Sequence, residues 1–273
     1  MKSKNISYRS AQLLKNLNGS EKLYFSIDDA AKALETNSSS SVRELLSAMT
    51  NRGLIMRIKD GLYHVIPYEK DGNDYFPNWH LTAEAIVGTK EYYLGFYTAF
   101  EIHNLITQPS LIEQIVMRQR LQPKNFKVKN IKYETINFNK KHFFGFEKTW
   151  IDDFNKVYCS DLEKTIIDCL YKPNYANGIT EISKAIFKSR DNVSTEKMLM
   201  YLEKFNAQVV YKRLGFLLQQ LDVLPTLKNE IQSKLSNSYA LLDPSLPKQG
   251  KYNSKWKIIE NVGIEQTLKS IET

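Results

Sequence analysis

Two cysteines in 273 residues, Cys159 and Cys169, are too few for a disulfide framework, and their spacing is not that of a zinc ligand set. Long apolar runs are missing too. Nothing approaches the ~18 residues of a membrane span, and the opening MKSKNISYRS lacks the apolar core of a signal peptide. The glycine-rich phosphate loops GxGxxG and GxxxxGK[ST] are absent. The four histidines, His64, His80, His103 and His142, share no ligand spacing. These absences lead us to expect a cytoplasmic protein with no metal, no cofactor and no enzymatic activity.

What is present is an ordinary globular composition, 42% hydrophobic and 25% charged, with a formal charge of +8. A net positive charge suits a polyanionic partner. Residues 1–67 carry 10 Lys/Arg against 6 Asp/Glu, a net of +4, and the other 206 residues share 28 against 24, again +4, so net positive charge is about three times denser at the N-terminal end. At this length two domains are expected. The turn-rich, aperiodic stretch after Ile66 reads as the join, giving 1–67, a linker at 68–80, and 81–273.

The N-terminal segment has the order of a winged helix-turn-helix. Tyr8 to Leu17 places Leu13, Leu14 and Leu17 on one side of a helix. Ser26-Ile-Asp-Asp29 opens a second helix as a capping box, with a stripe of Ile27, Ala30, Ala31 and Leu34. A third helix repeats that stripe with Val42, Leu45, Leu46 and Met49, and Gly53 follows as its C-cap. Ile55 to Lys59 and Leu62 to Ile66 alternate around Asp60-Gly61, a hairpin signal.

If the third helix buries that stripe, Ser40, Glu44, Ser47 and Asn51 point outward, with Arg43 on the flank. The run Ser38 to Ser41 sets small hydroxyls at a helix N-terminus, where phosphate is well received. Expected DNA contacts are therefore Ser39, Ser40, Ser41, Arg43 and Ser47, with Arg43 able to make a bidentate guanine contact. Arg57 and Lys59 share a strand face near the hairpin tip, the place for backbone contacts. Glu44 is expected to cap with Ser41, ahead of the alternative that it accepts from a cytosine amine, and Ser160 is expected to cap with Glu163.

From Leu81 the pattern mixes strands first and helices after. Strands are expected at 92–94, 113–119, 126–138, 142–146, 156–158 and 256–260. Helices are expected at 81–87, 97–105, 161–171, 179–188, 194–205 and 208–221. This suggests an α+β domain. The cluster Asp161, Glu163, Lys164 and Asp168 suggests metal-dependent phosphodiester chemistry, but Glu163 falls on a different helical face from Asp161 and Asp168. Tyr92, Tyr93, Phe96, Tyr97 and Phe100 read as core rather than as a base-stacking platform.

Several blocks occur together in a familiar order. Tyr92-Tyr-Leu-Gly-Phe-Tyr-Thr-Ala-Phe-Glu101-Ile-His103 is followed by Val157-Tyr-Cys-Ser-Asp161-Leu-Glu163-Lys164-Thr165-Ile-Ile-Asp168. Gly178-Ile-Thr-Glu181-Ile, Arg213-Leu-Gly215-Phe-Leu-Leu and Leu242-Asp243-Pro244 complete the series. From about residue 8 to residue 262 the chain resembles the AbiEi family, the antitoxin half of type IV abortive-infection toxin–antitoxin pairs. It departs from the family pattern at Tyr97-Thr98 and at Phe216, both conservatively.

The resemblance implies a head that represses its own operon by binding inverted repeats in promoter DNA. It also implies a C-terminal domain that counters a nucleotidyltransferase-like toxin without a stable complex, and it directs attention to Asp161, Glu163, Lys164 and Arg213 for antitoxicity. A one-component regulator with a ligand-sensing C-terminal domain is the alternative. An enzyme acting on nucleic acid is a third reading.

Overall fold

The computed structural model describes residues 6–106 and 108–263. Its chain is mixed α+β and divides into two compact units, residues 1–89 with 127–131, and residues 90–126 with 132–273.

The first unit opens with α1 (Tyr8–Gly19), β1 (Tyr24–Ser26), α2 (Ile27–Ala33) and α3 (Ser39–Asn51). The hairpin β2 (Ile55–Lys59) and β3 (Leu62–Val65) and then α4 (Trp79–Val87) follow. Its sheet runs β1-β3-β2, with antiparallel pairing throughout. The three-residue β1 was not expected; it pairs Tyr24 with His64 and Phe25 with Tyr63. The Ser26 capping box on α2 forms as expected: Ser26 Oγ accepts from Asp29 N at 3.0 Å and Asp29 Oδ2 accepts from Ser26 N at 2.9 Å.

Leu13, Leu17, Phe25, Ala30, Val42, Leu46 and Met49 form the centre of this unit, with Leu45 half-buried beside them. Gly53 (φ +71°) ends α3 and Gly61 (φ +76°) turns the hairpin, two left-handed positions where a side chain is strained.

The segment expected to be a linker lies inside this unit. Asn78 caps α4 by accepting from His80 N and Leu81 N, so that helix starts two residues before expectation. Tyr24 Oη ties α4 to β1 through Thr82 Oγ1 (2.8 Å) and the Asn78 carbonyl (3.3 Å). Lys129 donates to the carbonyls of Gly72, Asn73 and Tyr75.

In the second unit a six-stranded sheet carries the helices. Its strands are β4 (Tyr92–Leu94), β5 (Ile112–Met117), β6 (Asn125–Val128), β7 (Ile131–Asn137), β8 (Phe146–Trp150) and β9 (Lys156–Ser160). They lie in the order β6-β7-β5-β4-β9-β8. β5 runs parallel to β7 and β4 parallel to β9, so the sheet is mixed.

The single strand expected over 126–138 is two, because the chain reverses at Lys129 (φ +50°). The strand expected at 142–146 begins at Phe146 instead, where pairing with Ser160 starts.

Helix α5 (Phe96–Ile102) precedes the strands from β5 onward, and α6 (Leu162–Tyr171), α7 (Ile179–Ser189), α8 (Thr195–Phe205) and α9 (Gln208–Gln220) follow them. Helix α10 (Pro225–Gln232) was not expected; its Pro225 occupies the first turn, where a missing N–H costs nothing. A small sheet of β10 (Ala240–Leu241), β11 (Lys251–Asn253) and β12 (Ile258–Glu260) closes the unit. Every residue of α6 from Glu163 to Leu170 is buried, so this helix is the axis of the core.

Candidate nucleic-acid interface and a buried charge cluster

Helix α3 buries Val42, Leu46 and Met49 completely and leaves Ser39, Ser40, Arg43, Glu44, Ser47 and Asn51 exposed. The outward face expected from helical spacing is therefore accessible. Its cap is not the one expected. Ser38 caps the helix and accepts from Ser41 N at 3.4 Å, so Ser41 sits within the first turn and the expected Ser41–Glu44 box does not form.

A residue that sequence reasoning missed joins this end. Arg9, exposed on α1, donates from Nη1 to Ser41 Oγ at 2.9 Å, placing a guanidinium beside the serine-rich N-terminus of α3. Thirty-two positions separate the two, and no local pattern announces the pair.

The hairpin tip is less simple than alternation suggests. The register shifts between Arg57 and Lys59, so the two do not stand together on one strand face. Arg57 is exposed and ion-paired with Asp60. Lys59 is half-buried and its ammonium donates to the Ile86 carbonyl at 2.8 Å, committing it to the end of α4.

In the second unit Asp161, Glu163, Lys164 and Arg213 are all buried. Asp161, not Ser160, caps α6: its Oδ1 accepts from Lys164 N at 3.0 Å. Ser160 Oγ instead meets Thr165 Oγ1 at 2.7 Å, so the expected Ser160–Glu163 box is absent. The other Asp161 oxygen accepts from Tyr201 Oη at 2.8 Å, and Glu163 accepts from Ser194 N at 2.8 Å. Lys197 bridges both carboxylates, at 3.4 Å from Asp161 and 3.0 Å from Glu163. The acids thus bind the start of α6 to α8.

One turn on, the fully buried Lys164 and Asp168 are ion-paired, and Tyr93 Oη both donates to Asp168 (2.9 Å) and accepts from Lys164 (3.0 Å). Rings of Tyr93, Phe138, Phe144 and Phe205 surround the Lys164 ammonium at 5.0–5.4 Å. Burial pushes the Asp168 carboxyl up to about 6, although Lys164 and Tyr93 pull the other way. Burial likewise pulls Lys164 below its ordinary value.

Arg213 reaches the Leu170 carbonyl at 2.5 Å and the Leu241 carbonyl at 3.1 Å, and burial lowers its guanidinium to about 10. These four side chains act as struts between elements. The aromatic string from Tyr92 to Phe100 is buried as well.

The histidines are dispersed. His103 donates to the Ser160 carbonyl (2.7 Å), His142 to the Phe205 carbonyl (3.1 Å), and His64 meets Tyr75 Oη (2.9 Å). Among the described residues no group of three His, Cys, Asp or Glu is placed to hold a metal ion. Both cysteines are buried, and burial raises their thiols. No helix among the described residues is long and apolar enough to cross a membrane.

No family model and no curated protein matches the chain. Among solved structures it is similar to the crystal structure of the RV2827C protein from Mycobacterium tuberculosis, with a TM-score of 0.76 at 9% identity, covering 100% of this chain and 97% of that one. At that identity the likeness is one of fold alone.

Proposed function

We propose that this protein is a DNA-binding autorepressor and the antitoxin of a type IV toxin–antitoxin pair. Its first unit acts as a winged helix-turn-helix in this reading, with α3 in the major groove and the β2–β3 hairpin on the flanking backbone. The observation that carries the DNA half is the exposed polar face of α3 above a sealed aliphatic seam, with Arg9 beside the serine-rich N-terminus of the helix. Arg43 reads a base edge, while the serines and Arg9 hold phosphate. Of the hairpin cations Arg57 alone is exposed, so the backbone contact falls to it, once it exchanges Asp60 for phosphate.

Repression follows from occupying inverted repeats in the promoter. The antitoxin half rests on the order of the five sequence blocks resembling the AbiEi family, and its functional partner is a nucleotidyltransferase-like toxin met without a stable complex.

Footprinting on the DNA upstream of the protein's own gene tests the repressor reading, with protection of paired repeats expected. Co-expression with an adjacent nucleotidyltransferase gene tests the antitoxin reading, with growth rescue expected. Unprotected promoter DNA overturns the first, and unrelieved toxicity overturns the second.

A further inference from the structure

A cavity of about 350 Å³ opens in the second unit, beside the segment that links β5 to β6. Arg120 and Lys124 stand on that segment, Lys172 follows the end of α6, and no carboxylate lines the space. None of these three cations is among the residues engaged in an ion pair in the described structure. The buried Leu121 and Ile136 also line it, together with Gln122, Asn137 and Tyr175.

Both sides of this cavity are anchored. The Lys124 carbonyl accepts from Thr135 N and Thr135 Oγ1, each at 3.0 Å, which pins the linking segment to β7. The Tyr175 carbonyl accepts from the buried Gln114 amide at 2.8 Å, and its ring packs against Phe96 at 5.2 Å. Lys172 Nζ lies 5.7 Å from the Tyr175 ring and 5.0 Å from Phe138. Burial holds the Lys172 ammonium below its ordinary value, against Asp168, which raises it, and with a smaller lowering from Lys124. Like charges that line one cavity, with no carboxylate among its lining residues, are relieved by a bound anion.

Three cations suit a group of multiple negative charge, and phosphate is the common one. Phosphate alone would not need the aromatic ring and the two amides, which suit a heterocyclic base by contact and by hydrogen bonding. We propose that this cavity binds a nucleoside phosphate, with Arg120, Lys124 and Lys172 on the phosphate and Tyr175 against the base. The site goes beyond the repressor and antitoxin readings and stands whether or not they hold.

Equilibrium dialysis of the full chain against ATP, GTP, CTP and UTP, their nucleosides, inorganic phosphate and a short oligoribonucleotide tests it. At least one triphosphate should bind about tenfold more tightly than its nucleoside and than inorganic phosphate, the size of one or more contacts to a charged group. Arg120→Glu and Lys124→Glu should each weaken that binding by about tenfold with the melting transition unchanged. Arg120→Gln and Lys124→Gln serve if charge reversal disturbs folding.

Four results overturn the proposal. They are no triphosphate binding by a protein with a native melt, nucleosides or inorganic phosphate binding equally well, binding indifferent to both substitutions, and binding of the oligoribonucleotide alone.

Discussion

Lys164 and Asp168 lie one helical turn apart on α6 and are ion-paired with neither side chain exposed to solvent. Removing two charges from water costs more than a single interaction returns unless further bonds complete the site. Here Tyr93 supplies them, donating to the carboxylate and accepting from the ammonium. Lys164→Met and Asp168→Asn should each destabilise the fold by about 3–5 kcal/mol, because each leaves a buried partner uncompensated. Replacing all three polar groups, as Tyr93→Phe with Lys164→Met and Asp168→Leu, should cost less than either single change. Urea unfolding of the set decides this; a triple variant whose loss is the sum of the single losses contradicts the account.

Gly215 makes a prediction of unusual sign. In the middle of α9, exchange of glycine for alanine normally adds about 1 kcal/mol of helix stability. A Cβ here would lie 2.1 Å from the ring of Trp256, which is fully buried and donates from Nε1 to Gln219. Overpacking of this kind costs about 1–3 kcal/mol, so Gly215→Ala should lower the melting temperature. An unchanged or raised melting temperature would show that Trp256 moves aside freely.

The same contrast between local pattern and distant contact explains what the sequence made legible. Helices α6 to α9 follow from apolar periodicity, and the Ser26 box and the Gly61 turn are local chemistry that no tertiary contact overrides. The cap of α3 was ambiguous among four consecutive serines, each able to accept from a backbone N–H three residues on; the structure uses Ser38. A lysine at φ +50° splitting β6 from β7 carries no sequence signal.

At the candidate interface the outward face of α3 was readable, whereas the Arg9–Ser41 bond and the diversion of Lys59 to Ile86 join residues far apart in the chain. The partners of Asp161 and Glu163, Lys197 and Tyr201, stand on another helix, so no local spacing announces them.

Three substitutions separate base reading from backbone holding. Arg43→Ala should cost about 1–3 kcal/mol on the specific site and relax one base position. Arg9→Ala should weaken all sequences alike and reduce the slope of log K against log salt by about one. Lys59→Ala should leave that slope unchanged, since its ammonium serves the Ile86 carbonyl, and should act on stability instead. Gel-shift titrations at several salt concentrations measure all three. A reduced slope in Lys59→Ala would mean the lysine leaves Ile86 for phosphate.

The proposed antitoxic residues should behave as structural ones. Asp161, Glu163 and Arg213 each bind elements together from buried positions. Loss of toxin protection in Asp161→Asn, Glu163→Gln or Arg213→Lys should track the fall in melting temperature and recover at lower growth temperature. A variant that melts normally yet fails to protect would assign that side chain a direct role.

His64 sets a pH dependence in the first unit. It is 3% exposed, its ring lies 4.4 Å from Tyr24, and Nε2 meets Tyr75 Oη. Burial pulls the imidazole from 6.5 down to about 4, against the backbone of Leu23, which raises it. Between those values the unfolded chain holds more protons than the folded one, so stability rises with pH. The contribution is present above about 6.5 and is lost as pH falls toward about 4, amounting to at most roughly 3 kcal/mol.

Groups elsewhere, such as His142, which burial also lowers, cancel in a difference between wild type and His64→Phe. Urea unfolding at intervals from pH 7 to pH 4 should therefore show the wild type losing more stability than His64→Phe as pH falls. Parallel curves would mean that the imidazole is solvated and carries no linkage to folding.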